Sequence, residues 1–378
     1  MNKVPRFVWT LLLCLVCIVT TAACCIIIGD KGAASDKYQE VINSIVNNSV
    51  NATEISRLED AASQAIVASL EDDWSYYMTA EEYEEFLLTR ANNFVGIGVT
   101  TEYNNKYGYL AVTSVVPGSP AALAQIEIGN LITTVNNTDV GTFSPADLEG
   151  YLKSFGDEDF SIGLMNFQGG TRSVTMKCKI IYMPPVTWVM EEGNIAYVKI
   201  ANFFTGCSAY FKDAFSEISG NKAKSVILDV RNNPGGDVAE LQAVLDYLLP
   251  KGDLFICRDE KGKESMYSSD SNCVSFPLVV VTNGKTENEA EMFAYVMQAF
   301  NAATVVGERT SGNGHSQVVL PLSDGSAVRV SKYNFLNAER KSLQVLGGVV
   351  PDIRSKAIED SSLDVIFEAA MDTAQALK

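Results

Sequence analysis

The stretch Val279–Phe300, VVVTNGKTENEAEMFAYVMQAF, decides the architecture. Four residues of β-type character, Val279 to Thr282, run into the turn signal Asn283-Gly284. Met292, Phe293, Val296, Met297 and Phe300 then recur at helical spacing and predict one buried helix face. A strand, a sharp turn and a helix start is the corner on which many enzymes mount a nucleophile. Between Asn283 and Phe300 there is neither Ser nor Cys. The same alternation extends outward. NIAYVKIANF precedes the helical SAYFKDAFSEIS, and SVILDV leads through RNNPGGD to VAELQAVLDYLL. ATVVGERT follows the quoted helix, and SLDVIFEAAMDTAQAL closes the chain as an amphipathic helix. Apolar strands alternating with helices predict an α/β core with a largely parallel sheet over residues 186–378.

Upstream the texture changes. FVGIGVTTEYN, YGYLAVTSVV, NLITTVNN and DFSIGLMNF are short β-type runs separated by Gly, Pro and Asn. SPAALAQI and SPADLEGYLKSF interrupt them as short helices, the second with Ser144 as its expected N-cap. Residues 94–182 therefore read as a β+α domain, with Pro184-Pro185 marking its end. Residues 35–92 read as an acidic helical region.

Phe7–Ile28, FVWTLLLCLVCIVTTAACCIII, is an uncharged run of 22 residues. As a helix it spans roughly 30 Å of hydrocarbon. Lys3 and Arg6 precede it, which predicts a short cytoplasmic tail (1–6), a membrane anchor (7–28) and an extracytoplasmic body, a single-pass protein of the cell membrane. A cleaved signal and, through Ala22-Ala23-Cys24, a lipoprotein site are the alternatives. The 378 residues carry a net charge of −17, and everything after the anchor carries 27 Lys+Arg against 46 Asp+Glu, or −19. Such a body is a poor partner for nucleic acid or anionic lipid. Cys178, Cys207, Cys257 and Cys273 lie outside the anchor without paired short spacing, which argues against a zinc site. A Cys257–Cys273 disulfide and four buried thiols are both open readings. No cofactor or metal is expected.

The motifs as a set resemble C-terminal processing peptidases, also called tail-specific proteases. NFVGIGV followed by VVPGSPAALAQIEIGNLITTVNNTDV resembles a PDZ domain. GNIAYVKIANF, ILDVRNNPGG, GERTSGNGHSQ, LSDGSAVRV and GGVVPDI follow in the family's order, and DDWSYYMTAEEYEEF precedes them. The resemblance runs from about residue 38 to the C-terminus. It implies a PDZ-like domain and a ClpP/crotonase-like peptidase core. In the PDZ part, Gly96-Ile97-Gly98 falls on the loop that receives a peptide C-terminus, so protein or peptide C-termini are the implied partners. An assembly role would add a peptidase paralogue as partner. Gln125 stands where the family usually has Gly, and Asn130 where it usually has Asp.

The family's catalytic pair is a Ser in Gly-Ser-Ala-Ser-Ala-Ser-Glu and a Lys in Gly-Lys-Gly-x-x-Gln. Matching Glu291 to the first motif puts Asn288 in the Ser place. Gly312-Asn313-Gly314-His315-Ser316-Gln317 puts Asn313 in the Lys place and keeps Gln317. A Ser–Lys pair works because a desolvated neutral Lys takes the hydroxyl proton as Ser attacks. An amide has no proton to exchange near neutral pH, and its nitrogen lone pair is delocalised. These substitutions therefore predict a chain without peptidase chemistry. An active peptidase with a displaced nucleophile is the alternative, drawing on Thr286 with Lys285, or on Ser311 or Ser316 with His315. Gly235 and Gly236, with the Glu289 amide, are expected to keep an oxyanion-hole scaffold. Thr286–Glu289 and Asn288–Glu291 read as helix caps, with Glu287, Glu289 and Glu291 as three carboxylates that would repel a peptide's carboxylate.

Overall fold

The computed structural model describes residues 37–51, 54–358 and 363–377. The expected anchor at 7–28 lies outside them. Among the described residues no helix is long and apolar enough to cross a membrane. The chain divides into two compact units, one ending at Thr79 and the other running from Ala80. The division falls inside the helical region expected at 35–92. In the first unit, helices at 37–48 and Ile55–Ala68 precede the strand Tyr76–Met78. The Tyr38 hydroxyl donates to the Glu59 carbonyl and the Tyr77 hydroxyl to Asp60 Oδ1, so side chains tie these pieces together.

The second unit begins with the helix Ala80–Arg90. A six-stranded antiparallel sheet follows, in the order Val99–Asn104, Tyr109–Val115, Leu131–Val135, Phe160–Met165, Thr171–Met176, with the short strand Thr138–Asp139 paired to Leu131–Val135 off this path. Phe160–Met165 alternates strictly between buried and half-buried residues, the period expected of a strand with one face on a core. Leu110, Ile132, Ile162, Leu148 and Leu152 fill that core. Ser144 caps the helix Pro145–Lys153 in a reciprocal capping box with Asp147. Gln125 has φ +58°, a left-handed conformation that glycine adopts without penalty, which accounts for the Gly that the family resemblance implies there. Asn93–Gly96 pairs antiparallel with Lys179–Tyr182, so the two ends of this domain meet.

The α/β core is built from β1 (Val186–Glu191), β2 (Ile195–Ile200), α1 (Cys207–Gly220), β3 (Ser225–Asp229), α2 (Val238–Leu248), β4 (Leu278–Thr282), α3 (Glu289–Ala299), β5 (Ala303–Gly307), β6 (Ile353–Arg354) and α4 (Val365–Ala376). β1 pairs antiparallel with β2, and β2 to β6 run parallel in chain order. Every residue of β3 and β4 is buried, as a parallel strand covered on both faces requires. Val280 faces the cluster that holds Phe211, Leu241 and Phe293 of α1, α2 and α3. Val279 and Val281 face Ile366, Ala370 and Ala374 of α4. A second sheet of this unit pairs Glu264–Ser269, Gly252–Arg258, Ala327–Asn337 and His315–Pro321 antiparallel, in that order.

Asp229 and Arg231 form an ion pair at the end of β3. Arg231 donates to Asp229 at 2.7–2.9 Å and reaches Asp364 at 2.8–2.9 Å, which fastens the start of α4. Burial would raise the Asp229 pKa, but Arg231 and Lys199 outweigh it and hold this carboxylate below its usual range. Cys257 and Cys273 are both free, and so are Cys178 and Cys207. Cys257 is buried in its strand while Cys273 is exposed in the loop after Ser269. Neither the disulfide nor the reading of four buried thiols holds.

The turn after β3 is held from behind. Phe203 donates its amide to the Gly235 carbonyl and accepts from the Asp237 amide. A Cβ on Gly236 would meet the Phe203 carbonyl carbon and oxygen at 2.2 Å. Gly236→Ala must separate these two segments. It is expected to destabilise by at least about 2 kcal/mol, read as a fall in the urea unfolding midpoint.

Candidate active site

The corner after β4 brings the sequence-derived residues together. Asn288 immediately precedes α3 with φ +52° and ψ −121°, a strained conformation for a residue with a Cβ. Such strain is the signature of a corner that thrusts one side chain out. The Asn288 side chain is nevertheless buried, at 1% exposure, and Asn313 is fully buried. Asn313 Nδ2 donates to Asn288 Oδ1, so the residues in the Ser and Lys places touch. Asn288 Nδ2 donates to the Pro234 carbonyl at 2.9 Å. Asn313 Oδ1 accepts from the His315 amide at 3.3 Å and, in a long 3.5 Å contact, from Gln317 Nε2. Gln317 also donates to Ser331 Oγ and accepts from Arg329. The two amides thus form a closed pair anchored at both ends.

The structure changes the reading of the carboxylates. Neither expected cap forms. Asn288 sits at the N-cap position without a side-chain cap, and Thr286 Oγ1 instead accepts from the Asn283 amide and donates to the Val230 carbonyl. Partners from other loops outcompete the local ones in a corner this buried. Glu289 turns back under the diglycine turn. Its Oε2 accepts from the Gly236 amide at 2.8 Å, and its Oε1 accepts from Ser316 Oγ at 3.0 Å. Glu291 gathers the Thr310 and Ser311 hydroxyls and the Gly312 amide. Burial pushes both carboxyls above their ordinary range, the surrounding donors opposing it, and burial likewise raises Glu287. The three carboxylates expected around the corner are therefore two buried groups and one half-buried group whose pKa burial raises.

The oxyanion-hole expectation also meets a correction. Gly236 N–H is taken by Glu289, and Gly235 N–H donates to Asn233 Oδ1 at 2.9 Å. The Glu289 amide stabilises its own carboxylate. A Cβ at Gly235 would lie 2.5 Å from Glu289 Oε2 and 2.6 Å from Asn288 Cβ, so the carboxyl fills the space beside the turn. Two of the three amides proposed as oxyanion donors, those of Gly235 and Gly236, are hydrogen-bonded internally. Sequence reasoning missed this role of Glu289. Its one signal is that Glu289 occupies the small Ala place in the peptidase run. The hydroxyls near the corner are engaged as well: Thr286 with Val230, Ser311 with Glu291, Ser316 with Glu289. Among the described residues no group of three or more His, Cys, Asp or Glu is placed to hold a metal.

Residues 194–355 match the family model described as Peptidase family S41, and residues 111–164 match the PDZ domain model. The chain is similar to C-terminal processing proteases over most of its length. It is 27% identical over 311 residues to the chloroplastic C-terminal processing peptidase of Tetradesmus obliquus, covering 78% of this chain and 67% of that one. It is 26% identical over 337 residues to the carboxy-terminal processing protease CtpA of Bacillus subtilis, covering 87% and 72%. The chain thus spans about two thirds of these relatives' lengths. Among solved structures, the photosystem II D1 C-terminal processing protease superposes with a TM-score of 0.50 at 25% identity, covering 83% of this chain and 85% of that one. An S41-type protein from Bacteroides fragilis shares the fold with a TM-score of 0.60 at 16% identity, covering 89% and 97%. These matches agree with the family resemblance carried by the sequence motifs.

The buried carboxyl of the S41 domain yields a pH prediction. A folded-state pKa raised above the unfolded value near 4.3 contributes stability below that value. The contribution is lost as pH rises through the folded pKa. Glu289→Gln keeps an acceptor for Gly236 and removes the titration. Between pH 5 and pH 8 the wild-type urea midpoint should fall relative to that of Glu289→Gln. Parallel curves would show that Glu289 is ionised throughout.

Proposed function

We propose that this chain is a pseudopeptidase. It is anchored in the cell membrane by residues 7–28, with its PDZ and S41 domains outside the cytoplasm, and it binds protein C-termini without cutting them. One observation carries the reading: the side-chain amides of Asn288 and Asn313 are hydrogen-bonded to each other where the family's Ser and Lys would stand. Acyl transfer needs an activated nucleophile and a proton acceptor, and neither amide supplies one. An oxyanion hole alone gives about 10³–10⁴ over water in the well-studied serine proteases, and here its amides are occupied internally.

The binding half of the reading rests on the PDZ domain. A groove of about 240 Å³ lies between the segment Phe94–Thr101 and the helix Pro145–Lys153. Ile97, Leu148 and Leu152 are buried along it, at 2–4% exposure. The carbonyls of Ile97 and Gly98 accept from the Ala121 and Val116 amides, which fixes the loop. A ligand adding a strand here would present its terminal carboxylate to that loop. Gly98 has φ +84°, and a Cβ there would meet Ser119 Cβ at 2.2 Å, so the loop accepts no other residue in this shape.

Purified full chain, incubated with unstructured polypeptides bearing free C-termini, should leave them intact and resist serine-directed acylating probes. Turnover that Thr286→Ala or Ser311→Ala abolishes would overturn the proposal. The same chain should bind a C-terminal peptide in a fluorescence titration, and Gly98→Ala should weaken binding at least about tenfold, the loss of roughly one charge-assisted hydrogen bond. Restoration has an order. Asn288→Ser with Asn313→Lys should remain nearly inert because Glu289 still holds Gly236 N–H. Adding Glu289→Ala should raise turnover by about 10²–10³, the usual worth of one oxyanion donor.

A further inference from the structure

A cavity of about 710 Å³ opens at the carboxyl ends of the parallel strands β5 and β6, away from both the PDZ groove and the amide pair. It is lined by Glu308, Arg309, Val350, Pro351, Arg354 and Lys356, with backbone from Gly307 and Ser355. Three cations therefore border one concavity on a chain whose net charge is −17. Clustered like charge destabilises a fold unless something compensates it, and none of the three is in an ion pair among the described residues. The one acid lining the cavity, Glu308, is turned to the backbone, accepting from the Ala357 amide at 3.3 Å. Glu359 and Asp360 follow in sequence and lie outside the described residues.

The frame beneath these side chains is rigid. Ser355 donates its amide to the Gly307 carbonyl, Thr310 to Val349, and Glu308 to Thr282. The carboxyl ends of parallel strands are where open α/β sheets generally take ligands. Arginine's planar fork suits the paired oxygens of a phosphate or carboxylate, and a lysine adds a mobile point charge. The volume exceeds what a single small anion fills.

We propose that this cavity binds a small polyvalent oxyanion, a ligand carrying two or more phosphate or carboxylate groups, held by Arg309, Arg354 and Lys356. The site is independent of the amide pair, so it stands whether or not the chain cleaves peptides. Arg309 opens the segment Arg309–Asn313 that leads to the amide pair, so occupancy would also steady that segment.

The test titrates full chain with pyrophosphate and, separately, citrate, at ionic strength held constant with sodium chloride, reading the thermal midpoint and the calorimetric isotherm. Saturable binding and a rise in midpoint are expected for at least one probe, because a ligand that binds only the folded state stabilises it. Pyrophosphate alone points to a phosphorylated ligand, citrate alone to a polycarboxylate, and either result supports the site. Arg354→Gln should weaken binding about tenfold or more. Arg309→Gln/Arg354→Gln/Lys356→Gln should abolish it while leaving the midpoint without ligand unchanged or higher, since exposed like charges are removed. No saturable binding of either probe, or binding that survives the triple substitution, overturns the proposal.

Discussion

The carboxyl of Glu289 is the group on which the S41 corner depends. It lies fully buried, takes the Gly236 amide on one oxygen and the Ser316 hydroxyl on the other, and fills the space beside Gly235. A buried polar group costs free energy unless its hydrogen bonds are made, and here three pieces of chain supply them: the diglycine turn, the start of α3 and the strand His315–Pro321. Removing either partner would leave the Glu289 oxygen it meets buried and unpaired. The corner is therefore cooperative, and its polar network behaves as part of the core.

A neighbouring carboxyl extends this logic. Glu291 binds the hydroxyls of Thr310 and Ser311 and the amide of Gly312, so it holds the loop that delivers Asn313. The Asn313–Asn288 contact closes the loop against α3. In an active dyad the same two positions must keep a lysine neutral and a hydroxyl exposed, both of which strain a fold. An amide pair satisfies itself. Among the described residues no buried side-chain nitrogen or oxygen lacks a partner, which is the condition for keeping such a polar knot inside a core.

Much of the fold was legible because it rests on local periodicity. The all-buried run of β4, the helical stripe Phe293–Val296–Met297 and the Ser144 cap all follow from side-chain spacing within one element. The pairing of Asn288 with Asn313 was legible only through the peptidase motifs, since 25 positions separate them and neither has a local partner that betrays the other. The caps at Thr286 and Asn288 were misread for a related reason. Capping rules describe a helix end facing water, and α3 starts inside the protein, where Val230, Pro234 and Gly236 offer competing bonds. Sequence alone reads Glu289 as a carboxylate that would repel a peptide's carboxylate. A single sequence gives no hint that its carboxyl turns inward, except that it occupies a place where the motif has a residue too small to fill it.

The backbone of Asn288 keeps a strained conformation, with φ +52° and ψ −121°. Its persistence follows from the frame. Phe203 bonds to Gly235 and Asp237 from behind, the Glu287 amide bonds to the Asn233 carbonyl, and the Met292 amide bonds to the Asn288 carbonyl. Relaxing φ at Asn288 would break several of these at once, each worth about 1 kcal/mol, against strain of about 1–3 kcal/mol. The strain is thus over-determined by backbone bonds that do not involve the side chain at position 288. The shape of this corner is therefore held by the frame around it, whichever side chains stand at positions 288 and 313.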